Sequence, residues 1–369
     1  MKIVCNKSDL LKGVNISLRA VPARTTMSIL ECILIDATES EIKLTSNDME
    51  LGIETVIEGE IIERGKAAID AKFLSEIIRK LPDSEITLET DDNYVATITC
   101  EKSVFTIPGK DGDDFSYLPY IERDKSIVIS QFDLKEVIRQ TIFSIGDNSN
   151  NVIMTGELFE VTDNELKVVS LDRYRVSVRN VKLNNTYENI KVIVPGKTLN
   201  ELVKIIPGDA QSEVTLYFTT NHIVFEFDNT VVVSRLIEGE YFRIDQMLSS
   251  DYETKVKINK KEFLICIDRA TLLVKEGDEK PIIINILDDV MELKIKSQIG
   301  SMNDEIMISK EGRDLLIGFN PKFLIDALRV IDDEEVTLYL MNPKAPCFIK
   351  DDKENYIYLI LPVNFNAGA

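Results

Sequence analysis

Two runs of carboxylates, Asp111-Gly112-Asp113-Asp114 and Asp332-Asp333-Glu334-Glu335, could hold Mg²⁺ or Ca²⁺. Pro195-Gly196-Lys197-Thr198 ends like a phosphate-binding loop. The spacing supports neither reading. The carboxylate runs lack the EF-hand pattern, and the second falls in a helix-to-strand turn, where solvated acids are ordinary. A phosphate-binding loop needs a glycine five residues before Gly196, so that backbone N–H groups can cradle the phosphate; that position is Lys191. A carboxylate- and metal-dependent enzyme of nucleic-acid metabolism built on Asp111–Asp114 stays open as an alternative, as does a repeat scaffold that binds no DNA.

Other chemistry is narrowed by what the chain lacks. His222 is the single histidine, so no His-ligated metal cluster can form, and any Ser-His-Asp or Cys-His site would have to use it. It sits in the alternating run Asn221-His222-Ile223-Val224-Phe225 and reads as structural. Cys5, Cys32, Cys100, Cys266 and Cys347 are far apart and embedded in apolar runs, without a C-x-x-C pair. They are expected as buried thiols rather than a disulfide framework or zinc site. No catalytic residue, metal or cofactor is assigned. No apolar run reaches the ~18 residues of a membrane span, and Met1-Lys2-Ile3-Val4-Cys5-Asn6 has no signal-like apolar core. A soluble, cytoplasmic, non-catalytic protein is expected.

The elements that would position a binding surface repeat three times. Glu85-Ile86-Thr87-Leu88 returns as Glu213-Val214-Thr215-Leu216 and as Glu335-Val336-Thr337-Leu338. Each copy follows an amphipathic helical segment: Lys72 to Leu81, Lys197 to Ile206, and Lys322 to Ile331. Each repeat also opens with a helix, over Ser8 to Ala20, Phe132 to Ile142 and Lys260 to Ala270, with Asp9 and Asp133 as first-turn or N-cap acids. The intervening segments alternate and are rich in Ile, Val, Thr and Tyr, which predicts antiparallel sheet with one face buried. At roughly 150 residues per domain, 369 residues suggest two or three domains. The repeat selects three α+β domains, 1–124, 125–249 and 250–369, each with two helices on antiparallel sheets.

Charge is partitioned among these elements. The net charge of -20 argues against a generally nucleic-acid-coating protein. Yet the six helical segments carry 15 basic and 8 acidic residues, leaving 28 basic and 55 acidic elsewhere. Helices favour Glu as well as Lys and Arg, so propensity does not explain the excess. A shared basic helical surface would bind phosphates without reading sequence.

In order along the whole chain, the strings Met1-Lys2-Ile3, Met27-Ser28-Ile29-Leu30, Gly156-Glu157-Leu158-Phe159-Glu160, Ser170-Leu171-Asp172-Arg173-Tyr174-Arg175-Val176, Val194-Pro195-Gly196-Lys197, Leu236-Ile237-Glu238-Gly239-Glu240-Tyr241 and Tyr358-Leu359-Ile360-Leu361-Pro362-Val363 resemble the bacterial sliding clamps, the beta subunits of DNA polymerase III. The resemblance implies the DNA clamp fold and a head-to-tail homodimeric ring. Such a ring encircles duplex DNA, slides, and confers processivity in replication by tethering the polymerase, catalysing nothing itself. It implies DNA contacts at Arg24, Lys197 and the loop holding Asn148 and Asn150. Charge adds Lys12, Lys72, Arg79, Lys80, Arg139, Lys204 and Arg269.

The same resemblance implies a groove for linear peptides of the polymerase III catalytic subunit, the clamp loader, other polymerases and mismatch-repair proteins. It would comprise Met154, Leu171, Arg173, Tyr174, Arg175, Val176, Phe242, Met247, Ile360, Leu361, Pro362 and Val363, an apolar slot with a basic rim. Phe242, Gln246 and Asn364 replace a usual proline and two arginines, and Phe365 leads into the tail Asn366–Ala369, so the groove is expected to be reshaped. The dimer contact would bring Phe105 and Ile107 on an edge strand against Leu272 and Leu273 of the neighbour.

Overall fold

The computed structural model describes residues 1–146, 151–248, 251–274 and 280–365. Its contacts divide the chain into two compact units, Met1–Leu134 with Lys197–Leu236, and Lys135–Gly196 with Ile237–Ala369.

Among the described residues six α-helices form where apolar spacing predicts them: α1 Lys7–Ser17, α2 Ala71–Lys80, α3 Gln131–Arg139, α4 Gly196–Ile205, α5 Lys260–Thr271 and α6 Pro321–Val330. The first opening helix is shorter than expected, because Leu18–Ala20 tightens into a 3₁₀ turn. In α2, Ala71, Leu74, Ser75 and Ile78 are buried while Lys72, Arg79 and Lys80 face solvent. Side chains cap the exposed N–H groups: Asp70 Oδ1 accepts from Phe73 N (2.9 Å) and Asn259 Oδ1 from Glu262 N (3.0 Å). At α3 Ser130 Oγ caps the helix by accepting from Asp133 N (2.9 Å) and donates to Asp133 Oδ2 (2.7 Å). Asp9 lies in the first turn of α1, as expected.

The first unit holds two antiparallel sheets. One has the order Glu60–Glu63, Lys2–Asn6, Glu85–Thr90, Ala96–Cys100, Ser103–Ile107. The other has nine strands and crosses a repeat boundary, since Leu51–Ile57 pairs with Thr230–Arg235. There the Thr55 and Thr230 hydroxyls are 2.8 Å apart, satisfying each other inside the sheet. Gly13 lets α1 lie close on this sheet, because a Cβ there would collide with Ile57 and Leu44.

The second unit is built on one ten-stranded antiparallel sheet. Its long hairpin, Gly156–Leu171 with Arg175–Pro195, joins the third repeat where Arg175–Arg179 pairs with Tyr356–Ile360. The sheet's outer strand at the far side is Leu315–Phe319.

All five cysteines are buried and unbridged, as their apolar settings predict. Burial pushes the Cys5 thiol up to about 12, well outside the reactive range. His222 is structural. Its N–H donates to Thr219 Oγ1 (3.1 Å), and desolvation, then Arg235, lowers its pKa.

Candidate nucleic-acid interface and peptide cleft

The basic residues proposed to meet DNA separate into two groups. Lys12 on α1, Lys72 and Lys80 on α2, and Arg24 on the loop after α1 are exposed, with no ion-pair partner among the described residues. Among the described residues Arg79 reaches only the Ser75 hydroxyl on its own helix (3.2 Å).

The others are engaged by carboxylates. Lys197 pairs with Asp48, whose side chain is only 4% exposed and whose Oδ1 also accepts from Glu50 N (3.0 Å) and Leu51 N (2.7 Å). Lys204 pairs with Glu201 (2.7 Å), and Arg269 with Asp304. Arg139 is held by Glu136 (2.6 Å) and Asp332 (3.3 Å). These four charges are partly neutralised before any phosphate arrives, which residue type and spacing do not reveal. Asn148 and Asn150 lie outside the described residues.

In the second unit a cleft of about 610 Å³ gathers Met154, Arg173, Tyr174 and Arg175 with residues not expected there: Phe143, Ile145, Lys322 and Phe323. Tyr174 stacks on Phe323 with ring centres 5.9 Å apart and planes at 23°. Arg173 and Lys322 are exposed, without an ion-pair partner among the described residues, and supply the basic rim.

Arg175, expected in the same rim, is not on it. Its side chain is 8% exposed, ion-paired to Asp172 (3.0 Å) and Asp326 (2.7 Å), and it donates to the Phe143 carbonyl. Its guanidinium also lies over the Phe323 and Phe143 rings. A buried guanidinium needs this many partners to offset its desolvation. It is a strut between the 172–175 turn and α6 rather than a free cation.

The remaining groove residues divide by depth. Leu171 and Val176 sit in an apolar cluster with Leu158, Tyr241 and Ile244, against which Met154 and Phe242 pack as partly buried residues. Of these only Met154 lines the cleft, and Ile360, expected in the groove, is sealed in the larger core of this unit. Strand alternation alone does not separate these depths. Tyr174, Met247 and Leu361 are exposed, with Pro362 and Val363 half-buried. Leu361 N donates to Tyr174 O (2.8 Å), which anchors the C-terminal segment beside that cleft residue.

At the proposed subunit contact, Phe105 and Ile107 do lie on an outer strand, Ser103–Ile107, and Phe105 is 41% exposed. Leu272 caps α5 and is 79% exposed, whereas Leu273 packs on the core of the second unit. The strand Ser301–Gly312 has two partners on successive parts of its length. Residues 301–307 pair with Val290–Lys296, and residues 308–312 with Thr254–Ile258.

The carboxylate runs serve local structure. Asp111 Oδ1 accepts from Asp113 N (2.9 Å), and Asp113 pairs with Lys66 (2.5 Å). Asp332 meets Arg139, Asp333 accepts from the Tyr356 hydroxyl (2.9 Å), and Glu335 pairs with Lys257 (2.6 Å). Gly196-Lys197-Thr198 opens α4 after a strand, and the Thr198 hydroxyl is spent on Ser234 (2.6 Å). Nothing in these contacts favours the metal-enzyme alternative.

Family models for the DNA polymerase III beta subunit match three consecutive segments: its N-terminal domain at residues 1–119, its central domain at 128–242 and its C-terminal domain at 245–364. A beta sliding clamp of Staphylococcus epidermidis is 35% identical over 374 residues, spanning 98% of this chain and 99% of its own. A crystal structure from Eubacterium rectale, described as a DNA polymerase III beta subunit, is 68% identical with a TM-score of 0.96, covering 99% of this chain and 100% of that one. A DNA polymerase sliding clamp from Bacillus subtilis is 32% identical with a TM-score of 0.95 and the same coverage. With all three segments matched in order over nearly its full length, the chain belongs to the DNA polymerase III beta subunit family, the bacterial sliding clamps.

Proposed function

We propose that this sliding-clamp chain works as half of a head-to-tail dimeric ring that encloses duplex DNA and tethers the replicative polymerase. Three domains, 1–124, 125–249 and 250–369, would each give two helices to the inner wall. Topological linkage would supply processivity, so individual phosphate contacts can be weak and exchange quickly. The chain would catalyse nothing and need no cofactor, and it would act in the cytoplasm at the nucleoid. The cleft beside Met154 and Tyr174 would dock linear peptides from the polymerase III catalytic subunit, the clamp loader, other polymerases and mismatch-repair proteins.

The observation that carries this reading is the exposed positive charge at Lys12, Lys72 and Lys80, unpaired among the described residues, on helices of an otherwise acidic chain. Arg24 adds to it from the neighbouring loop. Retention after loading onto circular and linearised DNA tests it. A clamp persists on the circle and runs off the open ends; equal loss from both would show that it does not encircle DNA.

A further inference from the structure

The C-terminal segment Leu361–Val363 meets the cleft at Tyr174 and is tied down at a second point outside it. Beyond the strand Tyr356–Ile360, Leu361 N donates to Tyr174 O, and Val363 N donates to Gly318 O (2.8 Å). Pro362 between them has no N–H to give, and it restricts Leu361 to extended backbone. The segment therefore rests on two backbone bonds. Phe365 adds a third attachment. Its ring lies on Gly318, so closely that a Cβ there would sit 2.7 Å from Cδ1 and 3.1 Å from Cε1. Gly318 belongs to the outer strand Leu315–Phe319, whose chain leads directly into α6 and the cleft residue Phe323. The bare backbone of Gly318 makes room for the ring.

We propose that Phe365 seated on Gly318 is a latch that holds Leu361–Val363 in its peptide-binding position, making both of them positioning residues for peptide docking. The inference rests on the cleft being the peptide site. Without the ring, the segment would be held by its two backbone bonds alone, and the lost pre-organisation would weaken binding. The ring itself need not touch the peptide.

The test is fluorescence anisotropy on the full chain, with a labelled octapeptide carrying adjacent Leu and Phe anchors. Phe365→Ala should weaken binding by about tenfold, chiefly through faster dissociation. Phe365→Leu should restore most of the affinity, because it replaces the apolar contact. Gly318→Ala should reproduce the loss in the wild-type background and add little in the Phe365→Ala background, since the two changes break one contact. Additive losses, or wild-type binding by Phe365→Ala while Met154→Ala loses affinity, would overturn the latch and leave the cleft standing. If the peptide fails to bind the unaltered chain, or binds Met154→Ala and Tyr174→Ala as well as wild type, the cleft reading falls and takes the latch with it.

Discussion

The Arg175 guanidinium lies 4.6 Å from the centre of the Phe323 ring, while its Nη1 donates to Asp326 Oδ2 at 2.7 Å. One side chain thus joins the turn that begins the Arg175–Pro195 strand to two residues of α6. Removing it leaves Asp172 and Asp326 without their cation and the Phe323 ring without its stacking partner. Arg175→Ala is expected to destabilise the protein by on the order of 3 kcal/mol. Arg175→Lys should recover little, because an ammonium cannot bridge both carboxylates and stack on a ring. Urea denaturation of the two variants checks this.

Neutralisation of Lys197, Lys204 and Arg269 by carboxylates ranks the DNA contacts. Lys72→Ala or Lys80→Ala should each lower the slope of log affinity against log salt by about 0.9, as expected for a lost phosphate contact. Lys204→Ala should change it less, since Glu201 already competes for that charge. Titrations with short duplex DNA at several salt concentrations measure the slopes. Equal slopes for Lys80→Ala and Lys204→Ala would contradict the ranking.

Glu157 is completely buried on the strand Gly156–Leu171, and among the described residues neither carboxyl oxygen has a hydrogen-bond partner within bonding geometry. Burial pushes its pKa up to about 8, and the nearby Thr141 offsets this only in part, its hydroxyl being donated to Val137 O (2.7 Å). The folded state therefore holds a proton that the unfolded chain releases near 4.5. Stability from this site is full below that value and is lost as the pH rises toward about 8. The loss is on the order of 4 kcal/mol. Denaturation of wild type between pH 5 and 8 should show this decline, and Glu157→Gln should flatten it.

The proposed dimer contact separates into an exposed and a partly buried leucine. Leu272→Ala should weaken dimerisation with little cost to the fold, because the side chain is already in solvent. Leu273→Ala should reduce stability as well, by about 2 kcal/mol, since it packs on the core. Sedimentation velocity paired with thermal unfolding distinguishes these outcomes. A Leu272→Ala dimer as tight as wild type would remove that residue from the interface.

The three repeats, the six helices and the α+β class were legible in the amino-acid sequence, because each depends on local periodicity: i, i+3, i+4 spacing for α2 and α6, and alternation for Glu85–Thr90 and Glu335–Leu340. Buried cysteines and a structural His222 followed from their apolar neighbours. Tertiary structure alone decided which charges stay available. Lys197 and Lys80 look alike in a helix, yet one is held by Asp48, which is 149 residues away in the chain, and the other is unpaired among the described residues. It also decided that Arg175 is a strut, that Phe323 enters the cleft, and that Phe365 rests on Gly318. Hydrophobic periodicity is written in neighbouring residues, whereas ion pairs, ring stacks and close backbone approaches join residues whose separation along the chain carries no signal until the sheets bring them together.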